Sequence, residues 1–221
     1  YKTGVRAGGG LAFVIGGFLI DFYMRIGVIE VPLLGAIQPW QATLFTVGLP
    51  GLVLAALILS MSEPPRKELA VSQSGQVTLP VSTLVRFLWR RRRTYLALFL
   101  GSSMLAMSGY GSGAWYPELF VRNYGLSRSA AGSIYGTITM TSGLLGIMMG
   151  PWIANRLALR GHTDAFVRTL LYTTLVAIPL GIAAPLAGSA TLTFLLLWPS
   201  TLFSGAYLGI MAASFQPITP N

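Results

Sequence analysis

The sequence contains no cysteine and few charged residues. Its 221 residues include one histidine and six acidic residues, and charged residues of both signs make up 10% of the chain. The lack of cysteine excludes a disulfide framework, thiolate catalysis and cysteine metal sites. Soluble globular domains carry about 25% charged residues, whereas this chain is 53% hydrophobic. The composition therefore predicts a membrane protein.

The same scarcity excludes most enzyme chemistry. An intramembrane serine protease needs a histidine at the depth of its serine, but His162 is the only histidine and lies in a polar loop. A headgroup transferase needs aspartates clustered at one membrane face. The only aspartates, Asp21 and Asp164, are predicted on opposite sides. We therefore predict no enzyme activity, no metal site and no cofactor.

Six apolar runs are each long enough to cross a bilayer. The predicted spans are 7–24, 39–61, 95–117, 129–152, 166–187 and 190–214. Basic residues between these runs account for most of the net charge of +9, so the charge indicates topology and not nucleic-acid binding. Twelve of the fifteen basic residues, Lys2 and Arg6 among them, become cytoplasmic if both ends lie inside, leaving Arg25, Arg122 and Arg128 outside. The fold class predicted is an all-α, polytopic transmembrane helical bundle.

One predicted helix carries five glycines on one face. Gly132, Gly136, Gly143, Gly146 and Gly150 fall within about 40° of that face at about 100° per residue. Small residues let helices approach closely where lipid provides no hydrophobic driving force. We expect Gly136, Gly143 and Gly150 to pack against the first span through Gly9 and Gly16.

A long polar stretch, residues 62–94, separates the second span from the third. It is predicted to be a cytoplasmic linker between two bundles. Its end, PVSTLVRFLWRRRR, places Val81, Leu84, Val85 and Leu88 at helical spacing before four consecutive arginines. Two interpretations remain open: a short helix lying on an anionic leaflet, and an ordinary stop-transfer cluster.

Polar residues within the spans are candidates for a solute cavity, because no ionisable residue is expected deep in a span. Asp21 and Glu118 lie near the outer ends of spans and are predicted to be gating or interfacial carboxylates. Each hydroxyl group among the cavity candidates could instead bond to its own helix backbone. The candidates are Ser108, Tyr110, Ser112, Tyr135, Thr139, Ser204 and Tyr207.

The order of several motifs resembles the major facilitator superfamily. Three segments of this chain resemble helices five and six of that superfamily: Lys2-Thr3-Gly4-Val5-Arg6-Ala7, Trp40-Gln41-Ala42-Thr43 and Glu63-Pro64-Pro65-Arg66. Its loop signature is similar to Ala154-Asn155-Arg156 followed by Arg160-Gly161, with Asn155 at the usual Asp position. Within the superfamily, Trp115-Tyr116-Pro117 and the segment 119–127 look most like Spinster-like transporters.

The resemblance covers the whole chain and numbers its spans five to ten of twelve. It implies that 1–62 ends the N-terminal bundle, that 63–94 links the bundles and that 95–221 begins the C-terminal bundle. It also implies a secondary active transporter in a bacterial inner membrane, working by alternating access with protons as the candidate coupling ion. The expected solute is amphipathic, anionic and lipid-like, with aromatic contacts from Tyr110 and Tyr207. Two alternatives stay open: transport of a small organic anion, and a six-helix membrane scaffold without transport.

Overall fold

The computed structural model describes residues 2–32, 35–62 and 81–215. Within these ranges the chain is almost entirely helical, as predicted. The elements are α1 (Lys2–Ile26), β1 (Ile29–Val31), β2 (Gly35–Ile37), α2 (Pro39–Leu59), α3 (Val81–Arg90), α4 (Arg92–Tyr124), α5 (Arg128–Leu159), α6 (Ala165–Leu186) and α7 (Ala190–Phe215). Most of the linker, residues 63–80, lies outside the described residues.

Five of the helices are long and apolar enough to cross a membrane: α1, α2, α5, α6 and α7. They match five of the six predicted spans. The remaining predicted span falls on α4, which is 33 residues long. Its middle, GSSMLAMSGYGSG, is rich in glycine and serine, and this makes α4 less apolar than the other five. The bundle is therefore the predicted membrane fold, with α4 qualifying by length and not by apolar character.

A short β-hairpin follows α1 in the loop predicted to lie outside. Strands β1 and β2 pair antiparallel, with Ile29 opposite Ile37 and Val31 opposite Gly35. The helix ends at Gly27, which has a φ of 82° and whose N–H bonds to the Tyr23 carbonyl at 2.9 Å. Glycine adopts this left-handed conformation without strain. The sequence analysis missed these strands, because three residues are too few to show a periodicity.

The chain forms two compact units. One combines the residues up to Thr46 with those from Gly113 onward, and the other runs from Val47 to Ser112. This grouping differs from the predicted bundles 1–62 and 95–221, whose boundaries stay a prediction. In the first unit, α5 is the most buried of the five apolar helices.

Exposed apolar side chains cover the outside of the helices. Leu52 and Ile58 of α2, for example, are 68% and 67% exposed. A large apolar surface is stable in contact with lipid but not with water. The surface therefore agrees with the membrane environment predicted from composition.

The candidate solute-binding region

The first half of the α5 glycine face packs against the backbone of α1. A Cβ atom added at Gly132 would collide with the Phe13 carbonyl and lie 3.1 Å from Gly17 Cα. One added at Gly136 would collide with the Gly10 carbonyl. The two helices therefore approach so closely that only glycine fits at these α5 positions.

The second half of the same face packs against α7. A Cβ at Gly146 would lie 3.0 Å from Gly205 Cα, and one at Gly150 would lie 3.1 Å from Ala206 Cα. Gly143 lies where the two contacts meet, since its carbonyl faces Gly205 of α7 while the Arg6 side chain of α1 covers its Cα. The glycine face thus serves two neighbouring helices, where we expected one.

The expected α1 partners are wrong by one residue. A Cβ at Gly9 or Gly16 would have no atom within 4 Å, whereas Gly10 and Gly17 lie directly against α5. Successive helix residues point about 100° apart, so Gly9 and Gly16 face away from the contact. Gly150, which we expected to contact the first span, contacts Ala206 of α7.

Arg6 lies on the same face of α1 as Gly10 and Gly17. Its Cδ would be 3.2 Å from a Cβ at Gly143, and its Nε is buried with no hydrogen-bond partner in the described part of the chain. We expected Arg6 to be a cytoplasmic topology signal, and that assignment stays a prediction. The structure adds that the Arg6 side chain enters the contact between α1 and α5.

A sequence signal for Arg6 existed. Arg6, Gly10, Phe13 and Gly17 are spaced by four, three and four residues, which is the spacing of one helix face. Assigning the α1 residues to helix faces by this spacing would have placed Arg6 on the face that contacts α5.

Aromatic rings from three helices gather around Tyr135. The Tyr135 ring meets Phe13 edge-on at 4.8 Å between centroids and stacks on Tyr116 at 6.1 Å. Tyr116 in turn donates a hydrogen bond of 3.2 Å to the Gly181 carbonyl of α6. Pro185, four residues later, lacks an N–H and cannot make the usual α-helical hydrogen bond to that carbonyl. The Tyr116 hydroxyl therefore replaces the backbone donor that Pro185 removes.

A cleft of about 310 Å³ opens between α1, α4 and α5 beside this cluster. Phe13 and Gly16 line it from α1, and Pro117 and Glu118 line it from α4. Arg128 of α5 is the positively charged side chain that lines the cleft. Glu118 forms a side-chain ion pair with exposed Arg122 four residues later. The cleft thus has a mostly apolar wall with one carboxylate and one guanidinium at its edge.

Asp21 joins α1 to the start of α5. Its Oδ2 accepts a hydrogen bond of 2.8 Å from the backbone N–H of Ser129. The first N–H groups of a helix lack intrahelical partners and carry partial positive charge. Ser127 caps a second one, since its hydroxyl accepts from the Ala130 N–H at 3.1 Å. Asp21 therefore joins the C-terminal part of α1 to the N-terminus of α5.

Of the seven cavity candidates, Tyr135 joins the aromatic cluster. Thr139 donates to the Tyr135 carbonyl of its own helix at 3.0 Å, and Ser204 donates to the Thr201 carbonyl at 3.1 Å. Tyr207 is buried on α7. The other three belong to α4 within the second compact unit: Ser108 and Tyr110 are exposed and Ser112 is half-buried.

The predicted loop motif lies at the end of α5. Asn155 is exposed, and the Arg156 guanidinium stacks 4.1 Å over the Trp152 ring. Arg160 caps the helix through its backbone N–H. In the following loop, a hydrogen bond from Arg168 lowers the pKa of Asp164 below its ordinary value. Among residues 2–32, 35–62 and 81–215, no three His, Asp or Glu side chains lie close enough together to hold a metal ion.

Comparisons with known proteins agree on one family. Residues 1–221 match the Major Facilitator Superfamily. The chain is 27% identical over 184 residues to an MFS-type efflux pump of Mycolicibacterium smegmatis, covering 80% of this chain and 40% of that protein. It is 24% identical over 204 residues to solute carrier organic anion transporter family member 4A1 of Mus musculus, covering 80% of this chain and 28% of that protein.

A solved structure shares the fold. It is a bacterial homolog of the human lysosomal transporter Spinster in an inward-facing and occupied conformation, with a TM-score of 0.64 and 24% identity. The match covers 100% of this chain and 47% of that one. The chain therefore spans less than half the length of the relatives that it matches. Because the family match extends over all 221 residues, the chain belongs to the Major Facilitator Superfamily.

Proposed function

We propose that this chain supplies spans five to ten of a secondary transporter that carries an amphipathic, anionic organic solute by alternating access. One observation carries the proposal: Arg6 presents a buried Nε without a hydrogen-bond partner in the described part of the chain, and its side chain lies in the α1–α5 contact against Gly143. Burying a charged side chain in a membrane costs at least about 2.5 kcal/mol on the mildest scales. Such a group is retained where it has a function.

Arg6 and the aromatic cluster of α1, α4 and α5 together suit a solute with two chemically different ends. A guanidinium binds carboxylates and phosphates through paired hydrogen bonds. The Phe13, Tyr116 and Tyr135 rings offer apolar contact area, and the two tyrosines add hydroxyl groups. We therefore assign the aromatic contacts to these rings, in place of Tyr110 and Tyr207.

The α1–α5 contact supports the alternating-access part. In the predicted domain division, α1 belongs to the N-terminal bundle and α5 to the C-terminal bundle. Their backbones meet directly, with Gly10 and Gly17 against Gly132 and Gly136, and the side chains of Val14 and Met140 pack against these glycines. A close contact between one helix of each bundle is where the two bundles would rock against each other.

The named relatives support the solute class. One is an efflux pump and another is an organic anion transporter. We place the protein among the Spinster-like transporters, in a bacterial inner membrane with both ends of this chain in the cytoplasm and with protons as the coupling ion.

Uptake into liposomes by the complete protein tests the proposal. A charge-assisted hydrogen bond contributes about 1.5–3 kcal/mol, so Arg6→Gln should lower uptake of an anionic lysophospholipid about tenfold or more. Arg6→Lys should retain part of the activity. Arg25→Gln is the matched control, because Arg25 is an exposed arginine in the last turn of the same helix, and it should transport normally.

Three results would contradict the proposal. If folded Arg6→Gln protein transports like the wild type, Arg6 does not bind the solute. Selective uptake of a small carboxylate that survives Tyr135→Ala favours the small-anion alternative. If neither solute is transported under any proton gradient, the scaffold alternative stands.

A further inference from the structure

Helix α3 presents an apolar face and a basic flank. At about 100° per residue, Val85, Leu88 and Trp89 fall within an arc of about 100°, and Arg86 and Arg90 lie beside that arc. Val85 is 55% exposed and Trp89 is 69% exposed. Val85 and Trp89 are therefore largely uncovered by the described part of the chain, while Leu88 is half-buried.

The basic residues are concentrated and lack acidic neighbours. Five arginines occur between positions 86 and 93, and no acidic residue occurs between Glu68 and Glu118. Arg92 lies over the Trp89 ring at 5.4 Å, and Arg91 lies over the Phe87 ring at the same distance. Arg86 and Arg90 form no ion pair within the described part of the chain. Their guanidinium groups thus remain available to an outside anion.

We propose that α3 lies on the cytoplasmic leaflet and binds anionic phospholipid headgroups through Arg86 and Arg90. Only Arg91 separates α3 from α4, and the apolar part of α4 begins at Tyr95. This short connection keeps α3 at the membrane surface. Basic amphipathic helices bury their apolar face at the headgroup boundary and attract anionic lipids. The inference does not depend on the solute that is transported, but it rests on the chain orientation proposed above.

The arrangement of α3 favours this function over a simple stop-transfer cluster. A stop-transfer cluster requires basic residues next to a span, and Arg91, Arg92 and Arg93 suffice for that. It does not require Arg86 and Arg90 one helical turn apart, nor an exposed tryptophan on the neighbouring apolar face. Both features are those of a surface-binding helix.

A fluorescent probe on α3 tests the proposal in the complete protein. Val85→Cys in a cysteine-free form is labelled with the environment-sensitive dye NBD and reconstituted in phosphatidylcholine vesicles with or without phosphatidylglycerol. We expect a blue-shifted NBD emission that is stronger with phosphatidylglycerol. High salt should weaken it, because the screening length falls from about 10 Å at 0.1 M to about 3 Å at 1 M.

Charge variants separate the lipid site from topology. Each basic residue near an anionic surface contributes about fivefold to partitioning, the equivalent of about 1 kcal/mol. The double variant Arg86→Gln, Arg90→Gln should therefore lower the ratio of membrane-bound to water-exposed probe about 25-fold. Arg25→Gln, a change at an exposed arginine outside α3, should leave it unchanged.

Two outcomes would overturn the inference. If the emission is the same with and without phosphatidylglycerol, or unaffected by the double variant, the arginines do not bind anionic lipid. If the probe stays in water in both vesicles, α3 does not lie on the membrane.

Discussion

Adding one methyl group to α1 should reveal which of its faces contacts α5. Gly16 and Gly17 are neighbours in sequence but point about 100° apart. A Cβ at Gly17 would lie 2.7 Å from the Arg128 carbonyl oxygen and 3.2 Å from Gly132 Cα, whereas one at Gly16 would have no atom within 4 Å. We therefore predict that Gly17→Ala destabilises the protein and that Gly16→Ala does not.

The size of the effect follows from the contact geometry. Ordinary van der Waals contact begins at 3.4 Å, so the Cβ at Gly17 is 0.7 Å too close to a backbone atom. Backbone cannot rotate away as a side chain can, and the helices must separate along their glycine contact. Overpacking of this kind costs about 1–3 kcal/mol. Gly16→Ala should instead be neutral or stabilising by up to about 1 kcal/mol, because alanine favours helix.

The apparent melting temperature of the purified protein in detergent measures both effects. Gly17→Ala should melt several degrees lower than the wild type, and Gly16→Ala at or above it. If Gly16→Ala is the destabilised variant, the contact uses the register first expected from sequence, and the α1–α5 geometry described above is refuted. Equal melting of all three proteins would show that the two backbones do not touch.

Three further predictions concern single contacts. Asp21→Ala should lower the free energy of unfolding by about 1 kcal/mol because the Ser129 N–H loses its acceptor, whereas Asp21→Asn should keep most of this stability. Thermal unfolding compares the two variants, and an equal loss of stability in both would contradict the capping role. Tyr116→Phe removes the hydrogen bond to the Gly181 carbonyl and should lower the free energy of unfolding by about 1–3 kcal/mol. Thermal unfolding measures this loss, and unchanged stability would contradict the prediction. A cysteine introduced at Ser74, in the predicted cytoplasmic linker, should not react with an impermeant thiol reagent added to intact cells. Labelling from outside would show that the predicted orientation is wrong.

Features that depend on local sequence could be predicted from the chain. The apolar runs, the basic asymmetry and the α5 glycine face follow from composition and helical period, which are properties of each segment alone. A short helix at the end of the linker was one of two interpretations that the sequence left open, and helix α3 lies there. Helices at membrane depth must satisfy their own backbone, so an apolar run of sufficient length leaves little alternative to a helix.

Partners across the bundle depended on tertiary structure. The sequence places five glycines on one face of α5, but only packing decided that Gly132 faces α1 while Gly150 faces α7. Asp21 bonds to Ser129, 108 residues away, and the Arg6 side chain of α1 lies against Gly143 of α5. Helix period fixes the direction of a side chain relative to its own axis, whereas the rotation and height of one helix against another arise from the contacts of all neighbours together.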